Sequence, residues 1–205
     1  MRLHLPAILL ILLPTMTHAI EEPKFEVVRK VDAVEIRQYA AYVVAEVELA
    51  GTAEKASNDG FRILASYIFG SNRSQAKLAM TAPVTQEAVS VKLPMTAPVT
   101  RTKAPGGFRV QFVLPRDVTV QTAPVPLDSR ISLREVPAIR VAALRFSGFW
   151  SESNYSKHLD QLETTLRGAG LTWVGEPIYS RYDAPWTPWF MRRNEIWLRL
   201  GPDAG

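Results

Sequence analysis

Apolar and polar positions alternate most cleanly over residues 108–114. Phe108, Val110, Phe112 and Leu114 share one face, with Arg109, Gln111 and Val113 on the other. A period of two predicts a half-buried β-strand, and Pro115 ends it. The same alternation runs through Val43, Ala45, Val47 and Leu49, set against Glu46 and Glu48, a strand that ends at Gly51. Val34-Glu35-Ile36-Arg37 alternates too, inside a β-rich stretch from Phe25 to Arg37. Between Thr52 and Phe69 the period lengthens. Ala53, Ala56, Phe61, Leu64 and Ile68 fall near helical spacing. Gly60 costs this helix about 1 kcal/mol relative to alanine without reversing it, and Gly70-Ser71-Asn72 stops it.

The pattern then recurs. The run Arg37 to Gly51 can be laid on Arg134 to Gly148 at a constant shift of 97 (134 − 37 = 97), and an amphipathic helix is expected after each glycine. In the second helix Tyr155, Leu159, Leu162 and Leu166 make the apolar stripe, Ser151 suits the N-cap, and Gly168 or Gly170 the C-terminal stop. Glu176 to Tyr182 and Asn194 to Leu200 read as strands, separated by an aromatic, proline-stiffened loop, Asp183 to Phe190. A closer duplication lies between the halves. Lys77-Leu78-Ala79-Met80-Thr81-Ala82-Pro83-Val84-Thr85 returns as Lys92-Leu93-Pro94-Met95-Thr96-Ala97-Pro98-Val99-Thr100 with eight of nine residues unchanged. Each proline lacks an N–H for a ladder, so it belongs at an edge, a bulge or a strand start. Two neighbouring strands are the simplest outcome. The plan is an α+β domain in which two pseudo-symmetric βα halves, about 25–120 and 130–200, form a distorted antiparallel β-barrel with two helices packed on it.

Length and charge narrow the class. The chain has 205 residues, enough for one domain. Its net charge of +4 is spread among alternating signs, so there is no concentrated basic face of the kind nucleic-acid binding needs. At the N-terminus, Arg2, an apolar run from Leu5 to Leu13 and small residues at Thr17 and Ala19 read as a signal peptide over residues 1–19. It is too short for a spanning helix, and a retained anchor is the alternative. The expected location is periplasmic or secreted, with no membrane span after cleavage. There is no cysteine, so neither a disulfide nor a lipid-modified cysteine contributes. After cleavage His158 is the single histidine.

Tyr67 through Val84, Gly148-Phe149 through Gly168, and above all Tyr182-Asp183-Ala184-Pro185 followed by Arg192-Arg193-Asn194-Glu195-Ile196-Trp197-Leu198 resemble the SOUL or haem-binding-protein family. The resemblance covers about residues 24–200 as a single domain. It implies binding of haem or a related tetrapyrrole without enzymatic turnover, as in haem buffering or transfer. Carried over by position, it implies a cleft between one face of the first helix and the aromatic loop. The helix face is Phe61, Leu64, Ala65 and Ile68; the loop is Trp186, Thr187, Pro188, Trp189 and Phe190. Ser66 and Thr187 stand where animal members present lysines toward the propionates, so Arg62, Lys77, Arg192 and Arg193 are the nearest replacements. Pairing with Glu195 or with backbone carbonyls is the competing structural role for Arg192 and Arg193.

Axial ligation of an iron is a separate matter. His158 sits beside the apolar stripe of the second helix, where a packing role is the commoner one. Met80 and Met95 suit core filling, and no spacing favours Tyr39, Tyr42 or Tyr67 as a ligand. An enzyme is disfavoured by the absence of a cysteine nucleophile, a metal-ligand cluster and a Gly-rich phosphate loop. Two other functions stay open: a general hydrophobic-ligand or effector-binding module, favoured by acidic residues in the cleft, and an envelope protein-interaction domain that docks through the aromatic loop. Arginines in the cleft favour haem.

Overall fold

Helix α1 (Ala53–Ile68) begins where Thr52 turns from extended backbone and its hydroxyl accepts from the Lys55 N–H at 3.3 Å. Helix α2 (Glu152–Gly168) starts the same way, with Ser151 accepting from Asn154 N–H at 3.3 Å. The computed structural model describes residues 20–74 and 90–201. The signal-peptide residues 1–19 and the first duplicated copy, Lys77–Thr85 with Met80, lie outside the described residues. The strands in chain order are β1 (Phe25–Val31), β2 (Val34–Tyr39), β3 (Tyr42–Leu49), β4 (Asn72–Arg73), β5 (Val99–Ala104), β6 (Gly107–Val113), β7 (Val125–Pro126), β8 (Ser132–Val136), β9 (Ile139–Phe146), β10 (Trp173–Arg181) and β11 (Asn194–Leu200). β4 and β7 pair with each other. The other nine form one sheet in the order β1-β2-β9-β11-β10-β5-β6-β3-β8. In the second duplicated copy Pro98 directly precedes β5, the strand-start position a missing N–H demands.

That order is nearly a palindrome about the β10–β5 pair. β3 and β9 have matching bounds 97 residues apart (139 − 42 and 146 − 49), and each is followed by a helix. β2 pairs with β9 and β8 with β3, so each half lends the strand before its helix-linked strand to the other. The ends of the sheet, β1 and β8, are not joined by a ladder, so the barrel is only approximate.

The two faces of the sheet are different environments. One face carries the helices: α1 packs on β3 and β6, and α2 on β9 and β11. Under α1 lie Val43, Ala45, Val47, Val110 and Phe112 with Leu64, Ala65 and Ile68; under α2 lie Ala142, Leu144, Ile196 and Leu198 with Tyr155, Leu162 and Leu166. The other face carries neither helix, yet Arg37, Tyr39, Glu46, Thr100, Gln111, Glu195 and Trp197 on it are buried. Most of its buried polar groups are bonded to one another, as in Arg37–Glu195, Thr100–Gln111 and Gln111–Glu46; the buried Ser180 hydroxyl on the same face has no partner among the described residues.

Gly60 has a tertiary reason. A Cβ there would stand 2.7 Å from both Cβ and Cγ2 of Val110 on β6. Gly60→Ala is therefore expected to destabilise the protein by about 1–3 kcal/mol through overpacking. On helix propensity alone the same change would stabilise it by about 1 kcal/mol. Urea unfolding decides between the two signs.

Candidate functional site

Because the helices sit over the flanking strands, the helix-side face of the central pair, β5 and β10, is left open. A cavity of about 450 Å³ occupies that gap, within the usual size range of small-molecule sites. Its floor alternates in the strand manner: Val99 and Arg101 on β5, Tyr179 and Arg181 on β10, and Val110 on β6. Ser57, Asn58, Phe61 and Arg62 of α1 form one wall. Trp150, just before α2, stands opposite. Tyr182 to Trp186 and the segments at Ile20 and Met95–Ala97 make the rim. Trp186 is 85% exposed, so it overhangs the mouth and is not packed into it.

The charges in the cavity are mostly positive. Arg101 is buried, with its guanidinium 4.8 Å from the Tyr179 ring centroid and 5.5 Å from that of Tyr155. Its Nε has no hydrogen-bond partner among the described residues. Its ion pair, with the exposed Glu152, is long at 3.5 Å. Burial pulls the Arg101 pKa down and Glu152 offsets only part of that, though an arginine stays cationic at ordinary pH. Arg181 donates from Nε to the Tyr155 hydroxyl at 3.1 Å and lies 4.4 Å over the Trp150 ring. Arg62, at the solvent edge, pairs with Asp59. Asp183 is the acidic member of the lining, and its carboxylate already accepts from the Arg193 N–H.

The expected site residues separate into three groups. Phe61, Arg62 and Trp186 border the cavity. Leu64, Ala65 and Ile68 do not: they face the core beneath α1, because the sheet takes up most of the helix's apolar stripe and only its edge reaches the cavity. Trp189 and Phe190 also lie outside its walls. Trp189 stacks on Phe149 with centroids 5.1 Å apart, and both loop residues are solvent-exposed. Arg192 holds the loop: its Nε donates to Thr187 O at 2.8 Å and Nη2 to Pro185 O at 2.7 Å, while its guanidinium covers Trp150 at 4.2 Å. Arg193 pairs with Glu195 and with Glu22.

The iron-ligand candidates are also placed. His158 stacks on Phe146 at 4.1 Å, its Nδ1–H donates to Asn154 O at 2.7 Å, and it is not among the cavity residues. Tyr39 and Tyr42 belong to other clusters, and the Tyr67 hydroxyl donates to Pro124 O at 2.9 Å. Met95 does border the cavity. No group of three or more metal-binding side chains occurs among the described residues.

Sequence reasoning missed Arg101, Tyr179 and Arg181. A signal existed: Arg101 shares a strand face with Val99, an unusual position for a charge. What the chain order could not show is that Arg101 pairs in register with Tyr179 and with Val110.

Comparisons with known proteins agree on the class. The family model described as SOUL heme-binding protein matches residues 20–199. Heme-binding protein 1 of Mus musculus is 30% identical over 146 residues, 71% of this chain and 72% of that protein. Heme-binding protein 2 of Homo sapiens is 30% identical over 167 residues, 80% of this chain and 76% of that protein. Among solved structures, the EcmrR C-terminal domain superposes with a TM-score of 0.56 at 12% identity, covering 82% of this chain and 96% of that one. A hydrolase from Listeria innocua superposes with a TM-score of 0.53 at 11% identity, covering 82% and 91%. At such identities these two establish a shared fold alone. With the match running through nearly all of the described residues, the chain belongs to the SOUL haem-binding protein family.

Proposed function

We propose that this protein binds haem or a related tetrapyrrole in the cavity between α1 and the Tyr182–Trp186 rim, without enzymatic turnover, and buffers or transfers it outside the cytoplasm after loss of residues 1–19. The observation that carries this is the cavity floor: flat aromatic and aliphatic surface interrupted by a buried, under-bonded Arg101 and by Arg181. Phe61, Tyr179 and Trp186 suit the faces of a flat apolar ring. Arg101 and Arg181 suit its carboxylates through their forked donors, with Arg62 at the solvent edge. A bound tetrapyrrole would remove roughly 300–400 Å² of apolar area from water, worth ~8–10 kcal/mol, against an association cost on the order of 4–15 kcal/mol. Packing alone gives weak binding, so the arginines supply the difference. Among the described residues no histidine borders the cavity, and of those that line it only Met95, Tyr179 and Tyr182 carry a sulfur or phenol for iron. Tyr182 already donates to Glu195 at 2.9 Å.

The excess of arginine over free carboxylate in the cavity supports this reading over a cleft for cationic effectors. The test is a haemin titration of the chain from Ile20 onward, followed through the Soret band. A saturable shift is expected, weakened about 5- to 10-fold by Trp186→Ala, the loss of roughly 1 kcal/mol of stacking. His158→Ala should leave it unchanged. A folded protein that gives no spectral change with excess haemin, but binds a lipophilic cation, is an effector-type module instead.

A further inference from the structure

The cavity uses only the first part of the aromatic loop. Trp189, Phe190 and Met191 project to solvent together with Phe149 from the loop before α2. These side chains touch one another: Trp189 stacks on Phe149 at 5.1 Å and meets Phe190 edge-on at 5.6 Å. A joined set of large apolar side chains in water marks an interaction surface.

We infer that this patch docks the protein on a lipid bilayer, with Phe149, Trp189, Phe190 and Met191 entering the headgroup zone. Three observations select a bilayer over a protein partner. The patch is held outward by its backbone. Gly148 N–H donates to Trp189 O at 3.0 Å, Met191 N–H to Pro188 O at 2.9 Å, and Asn194 Nδ2 to Gly148 O at 3.2 Å, while Arg192 ties Thr187 and Pro185. The loop thus presents its side chains with no rearrangement, in a projecting form. A fluid interface accepts projecting side chains without matching their shape, whereas a protein partner must supply a fitted groove. The local chemistry is aromatic and basic: residues 184–193 and 145–151 contain no carboxylate and contribute Arg145 and Arg192, while Arg193 is taken up by Glu195 and Glu22. Tryptophan and phenylalanine flanked by arginine are the residues that settle at the membrane interface, and anionic headgroups add to their binding. Finally, Trp186, three residues before Trp189, belongs to the cavity rim, so one loop carries both the rim and the patch. Among the described residues no helix is long and apolar enough to cross a membrane.

The experiment is co-sedimentation of residues 20–205 with phosphatidylcholine vesicles containing one-third phosphatidylglycerol, with tryptophan emission read in parallel. Binding with a blue-shifted emission, quenched by brominated lipid, is expected. The double variant Trp189→Ser, Phe190→Ser should partition at least tenfold less while keeping the wild-type circular dichroism and thermal midpoint. Leu127→Ser, exposed elsewhere, should bind as wild type. Absence of vesicle binding, or equal binding by the double variant, overturns the inference. So does a protein complex that forms through Trp189 and Phe190 in a chain that ignores vesicles. None of these outcomes depends on whether haemin binds.

Discussion

Glu195→Leu is expected to remove about 3–5 kcal/mol of stability, and Arg37→Met added to it to restore part of that loss, the rest staying lost because Tyr182 and Trp197 still lack their acceptor. Glu195 is fully buried on the sheet face that carries no helix. Its carboxylate accepts from Arg37 Nη1 at 2.7 Å and Nη2 at 3.2 Å, from Arg193 Nε at 3.0 Å, from the Tyr182 hydroxyl at 2.9 Å and from Trp197 Nε1 at 2.7 Å. Leucine would leave the buried Arg37 guanidinium with the part-exposed Glu35 and the Tyr39 hydroxyl as its main partners. An unpaired buried charge costs more than the pair contributes, which is why removing Arg37 as well recovers its share of the loss. Urea denaturation of the three proteins measures it; a double variant no better than the single would refute the account. The same group sets an acid limit. Burial alone would raise the Glu195 pKa, but Arg37, Arg193 and Trp197 outweigh it and hold the carboxyl below the usual range. A folded-state pKa below the unfolded value of about 4.3 gives stability that is present above that pH and lost as pH falls through the folded value. Glu195→Gln should flatten that acid limb in a plot of unfolding free energy against pH.

The second large effect concerns the ligand. Arg101→Met should weaken haemin binding about 10- to 100-fold, the size of a hydrogen bond to a charged group, while leaving the ligand-free protein as stable as before or more so. The reason is the mismatch in its present bonding: a buried guanidinium with a long pair to Glu152 and a partnerless Nε costs desolvation that its contacts do not fully return. Methionine follows the arginine stem to about the Nε position and gives up the guanidinium group and its charge. A porphyrin with esterified propionates should bind the variant and the wild type alike. If both ligands lose affinity equally, Arg101 shapes the cavity and does not pair with carboxylates. If neither does, the ligand lies elsewhere.

Much of this was legible before any coordinates. The strand at 108–114 and the helices after Gly51 and Gly148 follow from periods that the chain carries locally. β3 and β9, whose bounds lie 97 residues apart, are each followed by a helix, as the period change after Gly51 and Gly148 leads one to expect. The Arg193–Glu195 pairing was legible as the structural alternative for the closing motif. The site was legible only at its edges. Phe61 and Trp186 reached the cavity; Leu64, Ala65, Ile68, Trp189 and Phe190 did not.

The sequence by itself determined which residues share a stripe of a helix or a face of a strand, because those periods depend on neighbours within a few positions. Only the tertiary structure decided what lies against each stripe. Ladders between β5 and β10, some 75 residues apart, bring Arg101 beside Tyr179; the sheet claims the centre of the α1 stripe; and Val110 makes Gly60 a packing requirement where propensity alone sees a weakness. Those contacts arise from pairing distant segments, and no local pattern encodes them.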